Sequence, residues 1–333
     1  MTADVAMRSP ASLLRALLSV LALAAAWISP CTAQTSFPSK PVRIIVPVVG
    51  GTMDLMARLV SPRLSEALGQ PVIVDTKAGA GGNVGADFVA KSPPDGSTLL
   101  VAFNGPISIN VTLFDKLPYD PLKDLAPITH AASAAQFLVV HPSVPVATVA
   151  ELVAYLKARP GKLNYGSVGV GGVSHLTMEM FKTAAGVDLV HVPYKGSAPV
   201  MADVIAGTVQ VAFLVPGNVL PHMKAGSMKV IASTGRQRMA STPHIPTMIE
   251  AGFHDFEAIS WIGFMAPGGT PKPIIDRYHA ELVRILNLPE VRDRLVAIDF
   301  EVTATTPEAF AEVIRTEIPR WGAIIRRTGA RAN

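Results

Sequence analysis

The stretch from Leu163 to Gly207, LNYGSVGVGGVSHLTMEMFKTAAGVDLVHVPYKGSAPVMADVIAG, constrains the fold more than any other. After the Pro160-Gly161 break, Leu163 to Ser167 reads as a short strand. Gly166, Gly169, Gly171 and Gly172 then make a loop whose backbone no side chain hinders. Ser174 is positioned to cap the next helix, in which Leu176, Met180 and Phe181 recur at helical spacing. A second strand, a turn and a second helix complete the unit. A strand that runs through bare backbone into a helix N-terminus gathers several N–H groups around one point, and that point attracts an anion. The alternative is a tight turn between strand and helix with no ligand, and spacing leaves both open.

The same device occurs near the start. Val42 to Val46 is a β-branched run suited to a buried parallel strand. Gly50, Gly51 and Thr52 make the turn, and a helix begins at Met53 or Asp54. Leu55, Met56, Leu59, Val60, Leu64 and Leu68 form its apolar face and Gly69 ends it, while Pro62 is expected to kink or interrupt it. Val72 to Asp75 is a second strand. The loop AGAGGNVG after it fails the G-x-G-x-x-G pattern at Val84, so it reads as structural or cleft-lining rather than as a nucleotide site. Thr98 to Phe103 is a third strand. Asn104 follows at the strand end, where open α/β sheets bind ligands, and suits either a cleft or a turn.

Farther on, Leu138 to His141 reads as a strand crossing to a second lobe, and Thr148 with Glu151 as a capping box. Val209 to Val215 is another strand, and Lys229 to Ser233 starts the return. Two crossings make a hinge. Thr270-Pro271 and Thr306-Pro307 open two more helices, the second carrying Pro319 as an expected kink.

The first 33 residues follow another logic. Arg8 and Arg15 precede an apolar run, Ala16 to Ile28, too short to span a membrane comfortably, and Ala33 precedes Gln34. This pattern predicts a signal peptide over residues 1–33. Cleavage there removes Cys31, the single cysteine, and with it any disulfide or thiol chemistry. The formal charge of +4 is scattered, without a basic run, which gives no support to nucleic acid as a partner. None of the eight histidines forms an H-x-H or H-x-x-x-H pair, so no metal site or cofactor is expected. A nucleophile elbow would need G-x-S-x-G, and Gly172-Val173-Ser174-His175-Leu176 fails it. Adjacent Ser174 and His175 point different ways on a helix and are no dyad. Catalysis is not expected.

YGSVGVGGVSHL and VPYKGSAP resemble signatures of the tripartite tricarboxylate transporter substrate-binding proteins, also called Bug or TctC-like proteins. The likeness continues through PSKPVRIIVP, GGTMD, GAGGNVGADFVAKSPPDGSTLL, LPYDPLKDLAPIT, LPHMKAG and GTPKPIID. It implies an α/β type II periplasmic binding protein fold, with two doubly wound lobes joined by a two-crossing hinge. The first lobe would comprise residues 34–138 and 234–333, the second 139–233, with the ligand cleft between them. The implied function is capture of a small organic anion, a di- or tricarboxylate, an aromatic acid or a related acid, for delivery to transporter membrane subunits. The location would be the periplasm and the protein a monomer. A ligand-loaded partner of a signalling receptor is the alternative, and a secreted hydrolase a weaker one. The ligand-binding candidates are Pro47, Gly50, Gly51, Thr52, Asp54, Asn104, Ser167, Gly169, Gly171, Ser174, His175 and Tyr194. The family pattern VPFxPGGxxD is here the shorter VPVVGGTMD. Val170, Gly172 and Val173 stand where many members carry asparagine or hydroxyl residues, which implies a less polar pocket. AFLVPGN lacks the aspartate that contacts an amino group in members binding amino acids, which argues against an amino-acid ligand.

Overall fold

The β-branched run VRIIV forms β1 (Val42–Val46), buried in the interior of a six-stranded sheet. A computed structural model describes residues 37–332, so the expected signal peptide lies outside the described residues. The chain continues through α1 (Gly51–Leu68), β2 (Val72–Thr76), α2 (Asn83–Ala90) and β3 (Thr98–Phe103). Strands β2 and β3 flank β1, both parallel to it. A π-helical turn, Gly105–Ile109, runs into the short α3 (Asn110–Leu113), and β4 (Leu125–Ala135) closes this first passage.

One residue later the chain is in a second sheet. It contains β5 (Phe137–Val140), α4 (Val149–Lys157), β6 (Asn164–Ser167), α5 (Val173–Ala185), β7 (Val190–Pro193) and α6 (Ser197–Ala206). Next come β8 (Val211–Leu214), α7 (Pro216–Lys224) and β9 (Lys229–Ser233). The return brings β10 (Ile259–Pro267), α8 (Lys272–Leu286), α9 (Pro289–Val296), β11 (Glu301–Val302) and α10 (Pro307–Thr328). The first sheet has the order β11-β4-β10-β3-β1-β2 and the second β7-β6-β8-β5-β9. Each therefore holds three parallel strands, with the earliest of the three in the middle, and antiparallel strands on one side. In such sheets the crevice lies at the carboxyl ends of the strands where the order reverses. Here those ends belong to β1 and β3 in one sheet and to β6 and β8 in the other.

Several local expectations meet their physical cause. Thr148 Oγ1 accepts from Glu151 N at 3.2 Å, while Glu151 Oε2 accepts from Ala147 N at 2.6 Å, a reciprocal cap for α4. Neither Pro62 nor Pro319 ends its helix. Buried residues on both sides of each proline, Val60 and Leu64 in α1 and Ile314 and Trp321 in α10, hold the two halves against the core. Helix α1 starts at Gly51, earlier than the expected Met53 or Asp54. Ser174 is not the cap of α5. That position is Gly172, and Ser174 Oγ instead accepts from Val168 N at 3.0 Å across the loop.

The last helix belongs to both halves. Phe310 and Ile314 pack with Ile45, Leu100 and Met265 under the first sheet. Trp321, Ile324 and Ile325 pack with Leu138, Tyr165 and Phe213 under the second.

Candidate ligand-binding site

The carboxyl ends of the parallel strands of both sheets open onto one cleft of about 850 Å³, its mouth included. The loop after β1 supplies Val48 to Thr52, and the loop after β2 supplies Gly81. Asn104 comes from the end of β3, and Val168, Gly169 and Val170 come from the loop after β6. Gly196 and Ser197 follow β7, and Val215 and Asn218 follow β8. Helices α1, α5, α6 and α7 all begin at this cleft, and the first-turn N–H groups of a helix have no acceptor within it. Their partial positive charges converge on the same space.

The two sides approach closely. Gly51 has φ +74°, a left-handed value that favours glycine, and a Cβ there would lie 3.5 Å from Ser197 Oγ on the opposite side. Gly171, at φ +80°, is held against Asn110, whose Oδ1 would lie 2.2 Å from an added Cβ. The lining is mostly apolar, with Val49, Met53, Phe103, Val170, Phe213, Trp261 and Phe300 among its walls. Among the described residues, none that lines the cleft is ionisable.

Of the twelve candidates, Gly50, Gly51, Thr52, Asn104, Gly169 and Ser174 line the cleft. The other six lie behind or beside it. Pro47 backs the loop and packs against Gly85, where a Cβ would lie 2.8 Å from the proline Cβ. Asp54 accepts from Arg58 Nε at 2.8 Å, one turn along α1. Tyr194 donates its hydroxyl to Asp203, and burial together with that carboxylate pushes the phenol up to about 12. Gly171 turns toward Asn110 rather than toward the cleft.

Ser167 and His175 belong to a stack beneath the glycine loop. The rings of Tyr165, His191 and His175 lie face to face, with centroids 4.6 Å and 4.3 Å apart. Ser167 Oγ lies 2.7 Å from His191 Nε2, and Gly171 N donates to His175 Nδ1 at 3.4 Å. Burial holds both imidazoles down to about 4, with the Lys182 charge adding to it. They are neutral at ordinary pH, which leaves His175 Nδ1 free to accept. The stack sets the shape of a loop that the ligand space touches.

Asn104 is more enclosed than either imidazole, at 1% exposed. Its Nδ2 donates to both carboxylate oxygens of Glu317, at 3.0 and 3.1 Å, and its Oδ1 accepts from Trp261 N at 3.0 Å. Burial pushes the Glu317 carboxyl up, while Trp261 and Asn104 as donors pull the other way. Gln136, Asn218, Ser260 and Trp261 also line the cleft, and no local motif marks them. Ser197 was within reach of sequence reasoning, because it begins the helix after VPYKG.

Residues 56–330 match the family described as the tripartite tricarboxylate transporter family receptor. Protein BugT of Bordetella pertussis is 34% identical over 320 residues, which is 96% of this chain and 98% of that one. A solved structure described as a periplasmic transporter superposes with a TM-score of 0.84 at 37% identity, covering 89% of this chain and 99% of its own. The R. palustris protein Rpa4515, solved with adipate, gives a TM-score of 0.84 at 35% identity over 88% of this chain and 98% of that one.

Proposed function

We propose, because this chain belongs to the tripartite tricarboxylate transporter family of receptors, that its cleft captures a small carboxylate in the periplasm for delivery to transporter membrane subunits. The family is one of solute-binding receptors rather than enzymes. The observation that carries the carboxylate reading is the convergence of helix N-termini on a cleft with no ionisable lining residue. An anion desolvated there needs several donors, and backbone N–H groups at helix starts supply them without a cation. In this reading Gly50, Gly51 and Thr52 at the start of α1, and Gly169 and Ser174 at the start of α5, hold one carboxylate between them. Ser174 keeps its hydroxyl proton for the ligand, because its oxygen already accepts from Val168 N. Asn104 is wall and donor scaffold. Pro47, Asp54, Ser167, Gly171, His175 and Tyr194 support the loops from behind. The adipate held by the R. palustris neighbour agrees with this chemistry. The periplasmic neighbour and the N-terminal signal pattern support the location, and the family supports the transporter.

The test is a heat-shift and calorimetric screen of the mature chain against dicarboxylates, tricarboxylates, aromatic acids, aliphatic monoacids and amino acids. Saturable binding of at least one acid, with the amide or ester analogue at the same carboxyl inactive, is expected. Binding unaffected by masking the carboxyl would sink the reading. Co-purification of the loaded protein with the membrane subunits tests delivery.

A further inference from the structure

The polar atoms at one end of the cleft are not all satisfied. Gln136 is 3% exposed and lines the cleft, and its Oε1 has no hydrogen-bond partner among the described residues. The rest of the side chain is fixed, because Nε2 donates to Ser260 Oγ at 3.1 Å. Its backbone is fixed as well, with Gln136 N donating to Thr234 Oγ1 and Thr234 N donating to Gln136 O, both at 2.8 Å. The two chain crossings thus grip Gln136 between them. Asn218 also lines the cleft, and its Nδ2 is buried with no partner among the described residues. These two orphans lie at the same end. Phe137 pairs with Leu214 in the antiparallel register, which carries Gln136 alongside Val215, the residue that caps α7. Asn218 lies in the first turn of that helix, and its N–H is spent on Val215 O at 3.2 Å.

Helix α7 starts at that end with few donors for a charge: of its first three residues, Pro216 has no N–H and the Asn218 N–H is used, which leaves Gly217. The walls there are apolar, Leu214, Val215, Ile262 and Phe300. A carboxylate pressed there would meet donors in Asn218 Nδ2 and the Ser260 hydroxyl, but also the Gln136 Oε1 acceptor, which repels it and which it cannot satisfy. No cation in the lining offsets its desolvation. A neutral group carrying both a donor and an acceptor satisfies both orphans. The Gln136 amide is oriented by Ser260, which takes Nε2 and leaves Oε1 as the acceptor that needs a donor.

We infer that this cleft selects an acid charged at one end only, with an apolar body and a distal primary amide or hydroxyl read by Gln136 and Asn218. The inference rests on the proposal that the α1 and α5 ends hold a carboxylate, and it adds what lies at the far end. It also separates this chain from a protein that holds a symmetric dicarboxylate, as the R. palustris neighbour solved with adipate does.

Calorimetry on the mature chain at pH 7 with four six-carbon probes tests it: adipate, its monoamide, 6-hydroxyhexanoate and hexanoate. The monoamide or the hydroxy acid is expected to bind at least about tenfold tighter than both adipate and hexanoate, since each mismatched orphan costs on that order. In Gln136→Leu the advantage of the neutral polar end over hexanoate should fall below about threefold. Asn218→Leu, at the helix start and less enclosed, gives the same readout should Gln136→Leu fail to fold. Adipate binding as tightly as its monoamide overturns the inference and leaves the carboxylate proposal standing. Absence of binding by all four overturns the inference too, and the broader acid screen then decides whether the carboxylate proposal falls with it.

Discussion

Asn104 and Glu317, separated by 213 residues in sequence, are joined by two hydrogen bonds from one amide nitrogen to both oxygens of one carboxylate. The other half of the same amide accepts from Trp261 N, so the tip of β3 is tied at once to β10 and to α10. Asn104→Ala leaves the Trp261 N–H without its acceptor and strips a donor from a buried carboxylate. A loss of about 3 kcal/mol in the ligand-free protein is expected, since buried groups of this kind cost about 1–3 kcal/mol each when orphaned. Chemical denaturation of the variant without ligand measures it, and a change below about 1 kcal/mol would contradict the arrangement.

Gly51→Asp is expected to remove binding while the protein still folds. Gly51 sits at φ +74° at the start of α1, so an aspartate there is strained by roughly 1–2 kcal/mol. It also sets a negative charge against the carboxylate proposed to bind at that helix end. Ligand at a hundred times its dissociation constant stabilises the wild type by about 2.7 kcal/mol. At about 2–4 °C per kcal/mol, that is a melting shift of very roughly 5–10 °C. The variant should melt a few degrees below ligand-free wild type and show no ligand shift. A shift of wild-type size would move the ligand away from this loop.

Stability should fall on the acid side of neutrality. Burial holds His130, His175 and His191 down to about 4, well below the ordinary 6.5. Between those values the unfolded chain takes up protons that the native state refuses. The stability linked to these groups is therefore complete above pH 6.5 and is lost as pH falls toward 4. For His175, 4% exposed, the effect is on the order of 3 kcal/mol over that window. His175→Phe should flatten the melting profile between pH 6.5 and 4. An unchanged slope would mean that the ring does not stay neutral beneath the loop.

Export predicts a mature N-terminus at Gln34. Mass spectrometry of the periplasmic fraction should find it, and protein retaining Met1 or Met7 would contradict cleavage after Ala33.

What the sequence discloses is what local chemistry decides. VRIIV and TLLVAF are apolar runs bounded by turns, so β1 and β3 are legible. The glycine loops are legible because left-handed turns and helix starts need particular residues at particular offsets. β4 and β10 are not legible. LAPITHAASAA is rich in alanine and carries a proline, and ISWIGFMAP has no clean alternation. These segments become strands because β10 sits between β3 and β4 and pairs with both, a long-range gain invisible to a local window. The same limit divides the site. Gly50, Gly51 and Gly169 announce themselves, whereas Gln136, Asn218 and Trp261 meet at the cleft only through strand register. Ser174 shows the limit within one turn, since its hydroxyl serves a loop N–H rather than the helix end beside it.

Helix α10 anchors Phe310 and Ile314 beneath one sheet and Trp321, Ile324 and Ile325 beneath the other, like a pin through two plates. Neither plate can melt without pulling a shared rod out of its neighbour. Scanning calorimetry should therefore record one cooperative endotherm for the two halves rather than two. A chain truncated ahead of Trp321 should lose the second sheet's tertiary signal first, even though the deleted residues lie far from it in sequence.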